Sequence, residues 1–555
     1  MPASTRRFLP QTIVILVLVL AIALAAGAAA IAMGLPGRTA GKAPTTVLHW
    51  ANEGISDLST LDPAPGPDFN ARQAQQLIYE GLVRVAAQSG AKYRILPGVA
   101  SRWSVSRDGR SYTFYLRRNV RFGDGTLLTA AHVAFSLNRT LGPQFKDRSG
   151  PFLLGDIEGA ADVTAGKALQ ARGIQVLDAH TLRIQLERPN GSFLAKLATP
   201  AGYIVPSWRV RANPKNWDEH AFGTGPFMVS RWVHRDRLLL APNPHYWDGN
   251  LQINGIDMPF IPEPLTAYKR YRAGSLDIQG IVHFAPEALY EAEGLPDFHR
   301  SVRLETVFLT LNEQRPPFNK TRVRQAFSRA VDTAALVRTV YGKFAHPTNG
   351  MLPPGIVGYN PNLPGTGFDP RKARALLAEA GYPGGRGLPP VSYAVDQDAQ
   401  SINLASALAE QWRRVLGVNV RINQAPTHTA YTDLLTRLDY QVAVIDWTAD
   451  FPDPSNFLSQ QFRTGSPNNN GGWSNRTFDR LVARADSMTP QENPKRLALY
   501  HRAEDIAMAE AAAIPLANPY AGILLRPGIE GFQISGGQLL ASDWTQVKVN
   551  RDGDR

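Results

Sequence analysis

The stretch "PVSYAVDQDAQSINLASALAEQWRRVLGVNVRIN", residues 390–423, decides the fold class of this chain. Apolar residues alternate at its two ends, over 391–395 and 418–422, as they do in β-strands. Between these ends, apolar residues recur at helical spacing through Trp412, and Gly417 follows where a helix would end. The stretch therefore predicts a strand, a long helix and a second strand.

The residues that follow extend this pattern by one more helix and one more strand. A short helix is predicted near residues 430–437, and the apolar run "YQVAVIDW" occupies residues 440–447. Strands that alternate with helices in this way are typical of a parallel α/β sheet. Ligands bind such sheets outside the carboxyl ends of the strands, so the segment after residue 447 is expected to face a cleft.

That segment lies within "IDWTADFPDPSNF", residues 445–457, which concentrates acidic and aromatic side chains between prolines. Pro452 and Pro454 prevent the strand from continuing, so a loop is expected there. A carboxylate between aromatic walls is a good receptor for a ligand's ammonium group. Asp450 is predicted to be this receptor, with Trp447 and Phe451 beside it.

The other two aspartates of the loop are interpreted as structural. Asp453 precedes Pro454 and suits the N-cap of a helix that starts near Ser455. Asp446 is taken to end the strand. A different class of function stays open, because a glycoside-type hydrolase could use the carboxylates of residues 446–453 as acid and base.

Residues outside this region give mainly structural signals. Three hairpins are predicted in the first half of the body, about residues 47–300, while the second half begins at about residue 320. Their turns are expected at Asp108-Gly109, between residues 176 and 182, and near residues 234–237. In the second half, apolar residues from 323 to 341 fall on one helical face. "FDPRKARALLAEAGY", residues 368–382, predicts a helix that is capped by Asp369 and begins at Pro370.

Composition narrows the class of protein. The chain has 555 residues, 44% of them hydrophobic, which suffices for several globular lobes. It contains no cysteine, which excludes disulfides, thiolate metal sites and lipid attachment to an N-terminal cysteine. The net charge of +12 is scattered along the sequence, so we expect a solvated basic surface and no nucleic acid partner.

The first 46 residues form a separate segment. Arg6 and Arg7 precede an apolar run from Ile13 to Met33, and a Gly/Pro/Thr-rich linker follows. This pattern indicates either a cleaved export signal or an uncleaved membrane helix. In both cases the body is expected on the far side of the membrane, in a periplasmic or extracytoplasmic location, and the protein is not a lipoprotein.

No motif for catalysis, metals or cofactors is found. The 11 histidines are dispersed, and the chain has no serine elbow, phosphate loop or dinucleotide fingerprint in a suitable context. No catalytic residue, metal site or cofactor is therefore predicted, and a non-enzymatic binding protein is favoured.

The body of the chain resembles family 5 of the solute-binding proteins of ABC importers, the oligopeptide and dipeptide-binding group. Seven matching pieces occur in the same order over nearly the full length: "TLDPAPGPDFNARQAQQLIYEGLV" (60–83), "WSVSRDGRSYTFYLRRNVRFGDGTLLTAAHVAFS" (103–136), "FGTGPFMVSRW" with "NPHYWDG" (222–249), "PPFNKTRVRQAFSRAVD" (316–332), "LPPGIVGYNP" (352–361), "FDPRKARALLAEAGY" (368–382) and "DWTADFPDPSNF" (446–457).

The resemblance implies a bilobed α/β periplasmic-binding-protein fold with an extra β-rich subdomain. The implied domains follow the N-terminal segment 1–46: lobe I from residues 47–80, 216–303 and 515–555, an inserted β-rich subdomain from 81–215, and lobe II from 304–514.

The resemblance also implies a site. In peptide-binding members the aspartate of a W-x-A-D element pairs with the peptide's α-amino group, and here that element is Trp447, Thr448, Ala449 and Asp450. The implied ligand-binding residues are Asp450, Trp447, Phe451 and Thr448. The segment around Leu61, Asp62 and Pro63 is expected near the cleft.

The implied function is capture of short peptides for an inner-membrane ABC permease by a monomeric protein. Some members of the family bind nickel complexes, haem, opines or oligosaccharides instead, so these ligands stay open. A sensor that docks on a membrane receptor is a further alternative.

Overall fold

The computed structural model describes residues 46–66, 68–88, 92–146, 148–280, 284–488, 493–533 and 543–550. Within these ranges, no helix combines the length and the apolar character needed to cross a bilayer. The predicted export signal or membrane helix lies outside the described residues.

Strands occur from Val47 to Val549 within the described residues. The strands are β1 (Val47–His49), β2 (Asn52–Glu53), β3 (Val83–Gln88), β4 (Lys92–Pro97), β5 (Ala100–Val105), β6 (Ser111–Leu116), β7 (Ile174–Asp178), β8 (Thr181–Gln185), β9 (Phe227–Val233), β10 (Arg237–Pro242), β11 (Gly255–Ile261), β12 (Ile278–Gln279), β13 (Phe298–Val302), β14 (Glu305–Leu311), β15 (Ala345–Pro347), β16 (Val391–Val395), β17 (Val420–Gln424), β18 (Val442–Thr448), β19 (Ala513–Leu525), β20 (Ile529–Glu530) and β21 (Lys548–Val549).

The helices fall mostly between these strands. They are α1 (Phe69–Ile78), α2 (Ala130–Thr140), α3 (Ser149–Leu154), α4 (Ala160–Thr164), α5 (Phe193–Leu197), α6 (Ser207–Ala212), α7 (Pro264–Arg272), α8 (Pro286–Ala292), α9 (Thr321–Arg329), α10 (Thr333–Val340), α11 (Pro370–Glu379), α12 (Ala399–Leu416), α13 (His428–Thr436), α14 (Ser459–Phe462), α15 (Arg476–Asp486) and α16 (Asn493–Ala509), with 3₁₀ turns at Pro143–Phe145, Pro200–Gly202, Trp217–His220, Pro383–Gly385 and Pro454–Asn456.

The α/β unit predicted from residues 390–447 is confirmed. Strand β16 lies between β17 and β18 and pairs in parallel with both, while α12 and α13 make the crossovers. Trp412 is fully buried on α12, and its indole N–H donates to the Phe327 carbonyl over 3.0 Å. The helix ends at Gly417, whose φ of +71° suits glycine.

The prediction of one helix face from residue 323 to 341 is wrong in one respect, because the chain forms two helices there. Helix α9 ends at Arg329, and α10 starts at Thr333. The Asp332 side chain accepts a hydrogen bond from the Ala335 N–H at 3.0 Å and so begins the second helix. An N-cap residue has a non-helical backbone, so the helix is interrupted at Asp332. The spacing of the apolar residues in the sequence does not change there.

All three hairpins predicted for the first half are present. Strands β5 and β6 belong to a four-stranded sheet of order β5-β6-β8-β7, in which β7 and β8 form the second hairpin. Strands β9 and β10 form the third, within a five-stranded sheet that also contains β1, β2 and β11.

The largest sheet has eight strands and is organised around β19. Its main order is β12-β19-β14-β18-β16-β17, and β13 and β15 also pair with β19. Strand β19 has 13 residues. The implied boundary between lobe II, which ends at residue 514, and the last segment of lobe I, which begins at residue 515, falls inside this strand. The chain therefore has no loop at that boundary.

Candidate functional site

The loop that carries Asp450 follows β18 directly. Strand β18 pairs antiparallel with β14, and Thr448 lies opposite Glu305 at the end of the ladder. The Thr448 hydroxyl donates to the Glu305 carboxylate over 2.8 Å. Strand β18 thus extends two residues beyond Asp446, so the interpretation that Asp446 ends the strand is wrong.

Asn456 shapes the loop and was not identified from the sequence. It is fully buried, and its side-chain oxygen accepts from the Trp447 indole at 3.0 Å and from the Asp450 backbone N–H at 3.1 Å. Its amide nitrogen donates to Gln460 at 2.8 Å. Trp447 is therefore held in place by this buried amide. Only the spacing to Trp447 and Asp450 could have indicated this, and spacing alone does not reveal a side-chain contact.

Among the residues that the structure describes, the Asp450 carboxylate has only long contacts. The Arg72 guanidinium lies 3.7 Å from it, and the Asn456 amide nitrogen lies 3.4 Å from it. The side chain is 23% exposed, and together with Pro63 and Arg72 it lines a small cavity of about 10 Å³. A carboxylate with no short hydrogen bond retains capacity for a charged donor.

Of Leu61, Asp62 and Pro63, which were expected near the cleft, only Pro63 lines this cavity. Pro63 lies on its wall. Asp62 is instead held by Arg139, whose guanidinium contacts both of its carboxylate oxygens, and Leu61 is fully buried.

Phe451 has no exposed surface. It packs into the hydrophobic core of the first-half segment that contains β5 to β8, and the Lys196 ammonium lies 5.9 Å from its ring centroid. The side chain therefore joins the two halves of the chain. It does not form an exposed aromatic wall, as the sequence had suggested.

Asp453 caps the 3₁₀ turn Pro454–Asn456 by accepting from the Ser455 N–H at 2.9 Å, so the predicted cap is confirmed. It also makes an ion pair that was not predicted. Both carboxylate oxygens accept hydrogen bonds from Arg496 at 2.8 Å. Burial alone would raise the pKa of Asp453, but Arg496 and Ser455 lower it overall.

A groove of about 390 Å³ lies beside this loop. Its walls come from residues 152–196 of the first half and residues 455–487 of the second half. Hydroxyl and amide side chains line it together with charged residues of both signs and with apolar residues, namely Arg188, Lys196, Arg463, Asp156, Asp486, Phe152, Pro189, Pro467 and Ala483. A ligand in this groove would contact both halves.

The two halves approach each other closely at Gly191. Its N–H donates to the Asp486 carbonyl over 3.1 Å. A Cβ atom at this position would come within 2.7 Å of the Met488 carbonyl oxygen and 2.9 Å of the Arg496 side chain. Glycine is required here because no side chain fits between the two segments.

Replacing Asn456 by Ala is expected to destabilise the protein. The change leaves the Trp447 indole and the Asp450 N–H without their acceptor, which costs about 1–3 kcal/mol of unfolding free energy. Denaturant unfolding would measure the loss. Asn362→Ala is the matched control, since Asn362 is exposed, and should change stability by less than about 0.5 kcal/mol. Equal stabilities for the two variants would contradict the role of Asn456.

Comparisons with known proteins place the chain in a family. The profile described as "Bacterial extracellular solute-binding proteins, family 5 Middle" matches residues 94–469. The periplasmic murein peptide-binding protein MppA of Escherichia coli is 30% identical over 508 residues, which cover 88% of this chain and 91% of MppA. The probable deoxycholate-binding periplasmic protein YgiS of the same species is 29% identical over 513 residues, covering 89% and 92%.

A solved structure agrees with these sequence matches. The Escherichia coli murein tripeptide binding protein MppA superposes with a TM-score of 0.75 at 26% identity, covering 91% of this chain and 99% of that chain. The predicted bilobed α/β fold is thereby confirmed. The relatives are binding proteins, and this protein is likewise not an enzyme, which removes the hydrolase alternative. The chain belongs to family 5 of the solute-binding proteins of ABC transporters.

Proposed function

We propose that the protein is an extracytoplasmic receptor that captures short peptides between its two halves and delivers them to an inner-membrane ABC permease. The observation that carries this proposal is the Asp450 carboxylate. It lies beside a cavity between residues of both halves, and its nearest charged neighbour is 3.7 Å away. A peptide's α-ammonium would provide the short, charge-assisted hydrogen bonds that this carboxylate lacks.

Closure would couple binding to transport. Phe451 inserts into the first-half core, and Gly191 touches the second half, so the two halves already have complementary contact surfaces. A ligand that touches both halves adds contacts to the closed state alone. It therefore shifts the population toward closure, by no more than its difference in affinity for the two states.

The Asp450 carboxylate supports a ligand with an amino group, such as a peptide, over the other ligands of the family. The relative YgiS is named for deoxycholate, an apolar steroid that carries a carboxylate. Asp450 would repel the carboxylate of such a steroid. Haem and oligosaccharides have no ammonium group to pair with Asp450.

The family and the N-terminal segment support the proposed partners and location. The relatives MppA and YgiS are named as periplasmic proteins, which supports export of this chain by residues 1–46. We propose that the exported monomer works with a permease. The sensor alternative predicts the same ligand binding but no dependence of uptake on the protein.

Native mass spectrometry of gently purified protein tests the ligand class. We expect added masses that dissociate as short peptides, and calorimetric binding of Ala-Ala-Ala to protein freed of them. A bound bile acid, haem, sugar or metal chelate, together with no heat from tripeptides, would overturn the peptide proposal and leave the family assignment intact.

A further inference from the structure

The groove of about 390 Å³ is a concave surface that the proposed ammonium site does not include. Asp450 lines the small cavity with Pro63 and Arg72, and these three residues do not line the groove. The walls of the groove come from both halves, which touch where the Gly191 N–H donates to the Asp486 carbonyl over 3.1 Å. A ligand in the groove therefore contacts both walls only while the two halves are together.

Two arginines, one on each wall of the groove, are unpaired among the described residues. Arg188 belongs to the first half and is exposed, and Arg463 belongs to the second half and is half-buried. Within the described ranges, neither guanidinium makes an ion pair or a side-chain hydrogen bond. Both keep their N–H donors for an anion that enters the groove.

The two carboxylates that line the groove already accept hydrogen bonds from the protein. Asp156 accepts from the Lys196 ammonium at 2.6 Å and from the Asn190 amide at 2.8 Å. Asp486 accepts from the Ser459 hydroxyl at 2.9 Å. Three cations line the groove against these two carboxylates, so its excess charge is positive.

One hydrogen-bond donor in the wall of the groove is buried and has no acceptor among the described residues. The Trp447 indole N–H can only donate, so the Asn456 atom that accepts from it at 3.0 Å is the amide oxygen. The Asn456 nitrogen then donates to the Gln460 oxygen at 2.8 Å. The Gln460 nitrogen therefore keeps both of its N–H groups, although the residue is only 7% exposed. Since buried polar groups are normally hydrogen-bonded, this donor indicates a place for a polar group of a ligand.

Apolar side chains complete the lining of the groove. Phe152 and Pro189 come from the first half, and Pro467 and Ala483 come from the second half. Such side chains suit a short carbon chain better than a hydrated inorganic ion. A guanidinium binds a carboxylate through two parallel hydrogen bonds. The groove therefore fits a short carbon chain that carries a carboxylate at each end.

We propose that the groove binds a small organic dicarboxylate, with one carboxylate on Arg188 and the other on Arg463 and the Gln460 amide. The dicarboxylate joins the two halves, so it stabilises the closed state and raises the affinity for a peptide at Asp450. This coupling rests on the proposed function, whereas binding of the dicarboxylate does not. Linkage requires that the peptide raises the affinity for the dicarboxylate by the same factor.

Calorimetric titration of the full protein with succinate tests the site. All buffers are held at one ionic strength with NaCl, because screening would otherwise change with the added anion. We expect one succinate per protein. Acetate should bind at least about tenfold more weakly, because a single carboxylate cannot pair with both arginines. Succinate that binds no more tightly than acetate would overturn the dicarboxylate assignment.

Arg463→Met and Gln460→Glu each remove one group that binds the dicarboxylate. Gln460→Glu keeps an oxygen for Asn456 but replaces the free N–H groups with a second carboxylate oxygen. Each variant should weaken succinate binding by about tenfold or more. Arg437→Met is the matched control, since Arg437 is 76% exposed, lies in the same half and does not line the groove. It should bind succinate as the wild type does. Unchanged succinate affinity in folded Arg463→Met would place the anion elsewhere and overturn the proposal.

Titrations with Ala-Ala-Ala, with and without saturating succinate, test the coupling. We expect succinate to raise the tripeptide affinity by about fivefold or more. No change would overturn the coupling, and a lower affinity would show that the two ligands compete for one cleft and would overturn the separate site.

The outcomes separate this inference from the proposed function. If Ala-Ala-Ala binds and succinate does not, the groove proposal is overturned and the peptide function stands. If succinate binds and loses affinity in Arg463→Met while no tripeptide binds, the dicarboxylate site stands and the peptide function is overturned.

Discussion

Replacing Asp450 by Asn is expected to reduce the affinity for Ala-Ala-Ala by about 100-fold or more, the largest effect of any change in the cleft. The variant keeps the shape of the side chain but removes the charge that would pair with the α-ammonium. A hydrogen bond to a charged group contributes about 1.5–3 kcal/mol, and a factor of 100 corresponds to about 2.7 kcal/mol. The enclosed position, only 23% exposed, keeps solvent from screening the pair.

A ligand that lacks the charge provides the control for this result. N-acetylated Ala-Ala-Ala has no ammonium and should bind wild type weakly, with little further change in Asp450→Asn. The difference between the two ligands then isolates the pair from any general damage to the cleft. Equal affinities of both proteins for the free tripeptide would remove Asp450 as the ammonium anchor.

Replacing Arg496 by Met is expected to lower the unfolding free energy by about 3–5 kcal/mol. Arg496 is 4% exposed and Asp453 is 8% exposed, so the substitution leaves a carboxylate buried without its counter-charge. The guanidinium also donates to the Ala485 carbonyl at 3.0 Å and to the Tyr500 hydroxyl at 3.0 Å, and these acceptors would lose their donor. Denaturant titration followed by fluorescence would measure the change.

Arg413→Met provides a matched control. Arg413 pairs with Glu410 at 2.7 Å, but the two side chains are 59% and 57% exposed, so their pair should contribute less than about 0.5 kcal/mol. A cost for Arg496→Met no greater than that for Arg413→Met would contradict the role of the buried pair.

The stabilisation that Asp453 contributes to the folded state should also depend on pH. It should be present above pH 4 and fall as the pH drops through the lowered pKa of Asp453.

The sequence predicted the parts of the fold that depend on local periodicity. The strands and helices of residues 390–447 could be predicted because alternation and helical spacing are visible in the sequence itself. The break at Asp332 could not, because a cap leaves the apolar face intact. Local patterns thus determine the type of an element better than its ends.

Less of the candidate site could be predicted, because most of its contacts join residues that are distant in the sequence. Asp453 as a cap could be predicted, since its partner Ser455 is two residues away. Its pairing with Arg496, 43 residues along the chain, could not be predicted. Phe451 could be recognised as important, but its burial against residues of the first half depends on how distant segments pack. Contacts between distant residues are set by tertiary structure, which no single sequence pattern encodes.

Strand β19 has a consequence for the order in which the protein folds. Four described strands pair with it, and β12, β13 and β15 have no other strand partner within the described ranges. Synthesis proceeds from the N-terminus, so these strands wait for residues 513–525 before they can pair. Long-range pairing of this kind slows folding. The largest sheet therefore cannot be completed until residues 513–525 have been synthesised, long after β12 and β13.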